Sequence, residues 1–219
     1  MSRRRTTEEI RSAVIEAAAS IIDEVGPLRF RMADLFQKAS VSESVVYRHF
    51  VDRDHLINET LLSMFAAEVE AARQGTQDYI AWLSSRTATP REIAEALTDG
   101  FMPTSASAAD DAAKVRALKA RIAVAALEYP DVHARFVRLQ REMDTLAELL
   151  IARIEEHLSS QGWAVSLHSM RFLMNGMKFG LLLEDLDARA SGSSLGADAL
   201  TDLWEAILHR FIGESPVGP

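Results

Sequence analysis

The stretch Glu43 to His49, Glu-Ser-Val-Val-Tyr-Arg-His, sets small, aromatic and hydrogen-bonding side chains close together. The chemistry they suit is contact with base edges and phosphates. A short helix through this stretch puts Val46 and Phe50 one turn apart, pointing inward, with Val41 inward before them. Glu43, Ser44, Val45, Tyr47, Arg48 and His49 are left outside. An outer face of small residues is what a DNA major groove admits. Ser44 can donate or accept at a base edge, and Val45 can pack on a thymine methyl. Tyr47 and His49 can hydrogen-bond phosphates, which positions a helix without reading sequence. Ser42 stands where its hydroxyl can cap the helix by accepting from a backbone N–H two or three residues on. Arg31 and Arg53 stand at the starts of the flanking helices. They add cations beside a phosphate backbone, and N–H groups at helix starts suit phosphate as well. The triplet Arg3, Arg4 and Arg5 is a basic arm of the kind that enters a neighbouring minor groove.

Other chemistries find less support. The six histidines show no paired metal spacing. With no cysteine there is no disulfide, thiolate site or cysteine nucleophile. "GSSLG" lacks the lysine of a phosphate loop. Glu142, Asp144, Glu148, Glu155 and Glu156 fall on long helices as solvated faces. The cluster Glu184, Asp185 and Asp187 opposes the macrodipole at a helix C-terminus, and Arg171, Arg189 or another chain's cation can offset it. No catalytic residue, metal site or cofactor is expected. A helical enzyme is the rival reading from a different class.

The net charge of −8 and pI near 5.3 argue against a uniformly basic binder, but the charge is partitioned. Residues 1–60 carry a net −1 and the remainder −7. Binding depends on the local potential of the contact face, and an acidic remainder repels misdirected contacts. The N-terminus has no apolar run behind its arginines, so it is not read as a signal peptide. The apolar stretch Phe172–Leu186 is interrupted by Asn175, Lys178, Glu184 and Asp185, short of the roughly 20 apolar residues a membrane span needs. Together with the missing cysteines this fits a cytoplasmic protein.

The elements that position the reading stretch are helices, since no run alternates with period two. A capping box, Thr6-x-x-Glu9, opens a first helix with Ile10, Val14, Ala18, Ile21, Ile22 and Val25 inward, and Gly26-Pro27 ends it. A short helix over Met32–Ala39 follows, with Met32, Leu35 and Phe36 inward, and then the helix from about Ser42. Asp52 is the expected N-cap of the next, which runs to about Arg73. Further helices are expected near 77–87, 90–101, 112–129, 131–160, 166–186 and 198–212. Pro90, Pro103, Pro130, Gly162 and the loop Ala188–Asp198 break them, and Met102–Asp111 reads as a mobile joint. Two short helices after a longer one, with a turn at Ser40-Val41-Ser42, make a helix-turn-helix pattern.

The segment Phe30 to Leu56 resembles the DNA-binding signature of the TetR-type (tetracycline repressor) family of transcriptional regulators. Val41, Ser42, Tyr47, His49, Phe50 and Leu56 stand at signature positions. Arg31 replaces a usual threonine, Ser40 a usual glycine, Ser44-Val45 a usual Gly-Thr, and Asp52-Arg53 a usual Ser-Lys. The resemblance implies an all-α chain with a three-helix helix-turn-helix domain over 1–55 and a helical ligand-binding and dimerisation domain over 56–219. It implies a regulator, mostly a repressor, acting as a homodimer on a pseudo-palindromic double-stranded DNA operator.

It also implies that the last two long helices of each chain form the dimer. The residues agree: 166–186 is apolar on nearly every side, as a helix buried all round must be. Phe172, Phe179 and Leu183 lie on it. Gly176 and Gly180 share a face that lets another helix approach, and Trp204, Leu208 and Phe211 form a matching stripe. A cavity for a small, mostly apolar effector is implied as well. Its candidate lining is Phe65, Trp82, Phe101, Met102, Leu118, Ile122, Phe136, Leu139, Met143 and Met174, since methionine and aromatic side chains suit an adaptable apolar site. Control by a protein partner instead of a small effector is the alternative within the same family.

Overall fold

Residues 6–101 and 106–163 are described in the computed structural model of the chain, with Gly176 and residues 180–183, 202–203 and 206–207; side chains of 100–110 are not. Helix starts are built by their own side chains. At Thr6 the Glu9 N–H donates to the threonine hydroxyl (3.2 Å) and the Thr6 N–H donates to the Glu9 carboxylate (2.7 Å), closing the expected capping box. Helix α1 (Thr7–Val25) ends at Gly26, whose φ of 78° lies where only glycine is unstrained. A 3-10 turn over Pro27–Arg29 leads to α2 (Met32–Ala39) and α3 (Glu43–His49). Asp52 accepts from the His55 N–H at 2.7 Å and so caps α4 (Arg53–Ser84). Thr89 and Glu92 form a second capping box (2.7 and 3.3 Å) at α5 (Pro90–Phe101), with Pro90 at the first helical position. Those Thr89 hydrogen bonds hold the Glu92 carboxyl below its ordinary range. Helices α6 (Ala106–Glu128) and α7 (Pro130–Ser160) complete the described elements, and every regular element among the described residues is helical.

Two expectations are corrected. The helix expected to stop near Arg73 and restart near 77 is one unbroken α4 of 32 residues. Gly75 lies inside it, and one glycine costs a helix only about 1 kcal/mol relative to alanine. Buried neighbours on both sides, Val69, Thr76 and Leu83, outweigh that. The second correction is at α6, which starts at Ala106, so Ala106–Asp111 is helix and not part of a loose joint.

The chain folds as two compact units. One holds the chain up to Glu68 together with Arg121–Arg138, and the other Val69–Ala120 with the chain from Leu139 onward. The sequence puts a boundary after residue 55; the first unit reaches thirteen residues further along α4. Its core is Val14, Ala18, Ile21 and Ile22 of α1, Leu35 of α2, Val46 and Phe50 of the α3 segment, and Leu56, Leu62 and Phe65 of α4. Ile122, Ala126 and Val132 are buried in the same unit, and the Phe65 and Phe136 rings lie 5.7 Å apart. In the second unit Leu83, Ala88, Ile93, Ala94 and Leu97 pack with Ile151, Ile154, Leu158 and Leu181. There the His157 Nε2 accepts from the Ala88 N–H (3.1 Å) and the Gln161 amide donates to the Ala88 carbonyl (3.1 Å), so both backbone groups of this buried residue are satisfied. No described helix is long and apolar enough to cross a membrane.

Two substitutions on α4 should move stability in opposite directions. Phe65 is fully buried, so Phe65→Ala should cost about 3–5 kcal/mol. A Cβ at Gly75 meets nothing within 4 Å, so Gly75→Ala should add about 0.5–1 kcal/mol by helix propensity. Urea unfolding followed by circular dichroism, read as midpoint shifts, checks both.

Candidate nucleic-acid interface

The turn between α2 and α3 is a Schellman motif. The Ser40 N–H donates to the Gln37 carbonyl and the Val41 N–H to the Phe36 carbonyl, both at 3.3 Å. The motif needs a left-handed residue at Ser40, and its φ of 53° and ψ of 45° supply it. Glycine takes that conformation without strain; serine carries a Cβ against the following carbonyl.

Ser42 is the N-cap residue of α3, but its hydroxyl makes no capping bond. This corrects the expectation. The hydroxyl instead lies 3.1 Å from that of Ser44, and the two share a hydrogen bond at the exposed start of the helix. Val46 is fully buried and Phe50 almost so, which fixes the rotation of α3. Ser42, Glu43, Ser44, Tyr47 and Arg48 are exposed, and Val45 and His49 are half-buried. The Tyr47 ring meets Phe36 of α2 edge-on at 6.5 Å while 43% of the residue stays exposed, so its hydroxyl is carried on a braced ring.

The flanking cations divide into two kinds. Arg31 and Arg48 are exposed, and neither makes an ion pair among the described residues. Arg53 is occupied. Its guanidinium donates to the carbonyls of Pro27 (3.0 Å) and Phe30 (3.2 Å) and to the Asp54 carboxylate (3.0 Å). The tie fastens the start of α4 to the joint before α2, which a sequence cannot show because the acceptors are backbone atoms more than twenty residues away. Arg29, exposed in the 3-10 turn, is a further cation that the sequence reading did not single out. Lys38 pairs with Glu24 at 2.6 Å and holds that carboxyl below its ordinary range. Arg3, Arg4 and Arg5 lie outside the described residues.

The expected effector lining is divided between the two units. Phe65, Ile122 and Phe136 are in the first unit, and Trp82, Leu118, Leu139 and Met143 in the second. Phe65 and Ile122 are fully buried. The Trp82 ring stacks 5.2 Å from Tyr79 with the Arg86 guanidinium 4.9 Å over its face. Burial drives the Tyr79 phenol far above its ordinary value. Met102, Met174 and the Phe101 side chain lie outside the described residues. Two open clefts of about 480 and 400 Å³ flank α2, lined by residues such as Leu28, Arg31 and Asp34 and by Ile21, Gln37 and Lys38. Neither contains a candidate lining residue. Of the dimer candidates, Gly176, Gly180 and Leu183 are described, and all three are exposed. Phe172, Phe179, Trp204, Leu208 and Phe211 fall outside the described residues, as do Glu184, Asp185 and Asp187.

Residues 14–60, which hold α2, the turn and α3, match the family model described as bacterial regulatory proteins, tetR family. Over these residues the chain carries a tetR-family DNA-binding segment. No curated protein matches it. Solved structures share its fold. A tetR-family regulator from Mesorhizobium loti is 20% identical over 95% of this chain and 97% of its own, with a TM-score of 0.58. A tetR-family protein from Vibrio parahaemolyticus is 19% identical over 94% and 100%, with a TM-score of 0.59. A transcriptional regulator from Saccharomonospora viridis, solved in complex with choline, is 16% identical over 94% and 100%, with a TM-score of 0.64. At these identities the likeness is one of fold. In the matched segment the first helix of the motif is α2 and the second is α3.

The left-handed Ser40 gives this turn a measurable strain. Ser40→Gly should raise stability by about 1 kcal/mol, because it removes the Cβ clash while keeping both turn hydrogen bonds. An upward shift of the thermal midpoint checks it, and an unchanged or lowered midpoint would mean the turn is not strained.

Proposed function

We propose that this regulator is a cytoplasmic homodimeric repressor that reads a pseudo-palindromic operator with α3 and releases it when a small effector binds. The observation that carries the reading is the face of α3. Val46 and Phe50 hold the helix down, and Ser44, Tyr47 and Arg48 stand out from it with Val45 and His49 beside them. Ser44 and Val45 supply base-edge contacts, while Tyr47, Arg48 and His49 supply phosphate contacts. Arg31, and Arg3 to Arg5 from the N-terminal arm, add cations. Arg53 acts by holding the motif together.

A twofold operator needs two copies of α3 about 34 Å apart, which a homodimer provides. The exposed run Gly176, Gly180 and Leu183, with open space at both glycines, supports a close helix contact there. Phe172, Phe179, Trp204, Leu208 and Phe211 are the further positions at which that contact is expected. Release follows from linkage: an effector weakens DNA binding to the extent that it prefers a DNA-incompetent conformation. Helix α4 is the lever, because it starts at the reading motif and continues unbroken to Ser84. Phe65, Trp82, Leu118, Ile122, Phe136, Leu139 and Met143 remain the apolar positions at which effector contacts are sought. The choline bound to the Saccharomonospora viridis protein makes small cations a sensible part of the screen.

The test is retention of DNA fragments from around the regulator's own gene, against excess non-specific competitor, at two salt concentrations. Specific binding is expected. Val45→Ala and Tyr47→Phe should each weaken it about 5- to 30-fold, equivalent to about 1–2 kcal/mol for a lost base or phosphate contact. Arg48→Gln should lower the salt slope by about one, whereas Arg53→Gln should leave the slope unchanged and reduce stability. Equal binding to all sequences by the unmodified protein would overturn the reading.

A further inference from the structure

Behind α3 a second set of charges gathers around one buried carboxylate. The Glu59 carboxylate, on the inner side of α4, is only 8% exposed. Two arginines from distant parts of the chain pair with it: Arg11 of α1 and Arg135 of α7. A carboxylate so enclosed is unfavourable without paired charge, so the three side chains hold their helices in one arrangement.

The set reaches the end of α3 by two routes. The Arg11 guanidinium lies over the Phe50 ring, 5.5 Å from its centroid. His55, one turn before Glu59, has its Nε2 4.0 Å from the Glu59 carboxylate. Its Nδ1 accepts from the Val51 N–H at 3.1 Å. A neutral ring that accepts at Nδ1 carries its hydrogen on Nε2, the atom facing Glu59. The His55 ring also stands 6.0 Å from Phe50. Phe50 and Val51 are the residues at which α3 ends and the chain turns into α4.

We propose that Arg135 and Glu59 are positioning residues for DNA reading: α7, through Arg135, Glu59, Arg11 and His55, fixes the end of α3 and thereby the pose of its outward face. The inference rests on the reading of α3 as the DNA-contacting helix. Arg135 touches neither α3 nor the face that carries Ser44 and Tyr47. Its effect passes through Glu59 to Phe50 and Val51. Helix α7 continues from Arg135 to Ser160, so a change that turned or slid this helix would reach α3 by the same contacts. The set is thus a second connection to the reading helix, separate from the continuity of α4.

The experiment compares the full-length protein with Arg135→Gln, Arg135→Lys and Arg138→Gln. Arg138 is exposed on the same helix, and its replacement makes the same change in net charge. Amide hydrogen exchange is read over residues 50–56, with the Val51 amide as the central reporter. Affinity is then read on a duplex selected from random sequence by the unmodified protein. Arg135→Gln should speed exchange in 50–56 at least tenfold, with little change at the α1 and α5 amides, and weaken operator binding about tenfold. Arg135→Lys should recover most of both, and Arg138→Gln should change neither. Unchanged exchange at Val51 in Arg135→Gln would overturn the proposal. So would a rise spread evenly over the chain, which marks general destabilisation, or faster exchange with full operator affinity. If the unmodified protein selects no duplex, the DNA reading fails by itself, and the exchange data still decide whether Arg135 holds the end of α3.

Discussion

The setting of α3 depends on two side chains, Val46 and Phe50, that one helical turn brings onto the same inner face. A helix of seven residues has little stability of its own, since isolated helices shorter than about 12–15 residues are marginal in water. It exists because its inner face is packed, and its rotation is therefore the rotation that packing allows. Once Val46 and Phe50 are placed, the outward positions of Ser44, Tyr47 and Arg48 follow from geometry alone. The surrounding devices serve that placement: the Schellman turn at Ser40 sets the angle between α2 and α3, Phe36 braces Tyr47, and Arg53 fastens the start of α4 to the backbone before α2.

Charge is handled locally in this chain. The overall balance of −8 would repel DNA if it were spread evenly, yet the carboxylates of the first unit are largely engaged. Glu24 meets Lys38, Asp54 meets Arg53, Glu9 caps α1 and Glu59 lies between two arginines. Arg31 and Arg48 are left outward without partners among the described residues. At a Debye length of about 8 Å in physiological salt, these near charges set the field at the face and the distant acids do not. Glu43, exposed at the start of α3, suits the positive end of the helix but would repel a close phosphate, so it favours a pose in which the later turn of α3 meets the backbone.

Local signals were legible in the sequence and long-range ones were not. The capping box at Thr6 and Glu9, the Asp52 cap, the inward pair Val46 and Phe50, and the all-helical class all rest on spacings of three or four residues, which one chain displays directly. The box at Thr89 and Glu92 has the same spacing and went unread beside Pro90. The break expected between Arg73 and residue 77 is absent because burial of Val69, Thr76 and Leu83, which only the folded chain reveals, holds α4 together. The Ser42 hydroxyl shares a hydrogen bond with the Ser44 hydroxyl two residues away and caps no backbone N–H. Arg53 and Arg135 carry the same lesson: an arginine reads as a free cation until its acceptor is known, and here the acceptors lie 23 to 76 positions away.

The turn and the buried carboxylate can be seen as two solutions to one difficulty. A reading helix must be held firmly enough to present one face, yet be movable by an event elsewhere in the chain. Hydrophobic burial of Val46 and Phe50 is non-directional and tolerates small shifts of α3. Hydrogen-bonded charge is directional: the Arg11 and Arg135 guanidiniums meet Glu59 in fixed geometry, and a small displacement of either helix loses much of the interaction. Apolar packing therefore supplies the adhesion of α3, and the charged set behind it supplies the sensitivity to position. In that division, on the role proposed for Arg135 and Glu59, the residues that set the pose of α3 extend to α1 and α7, away from its outward face.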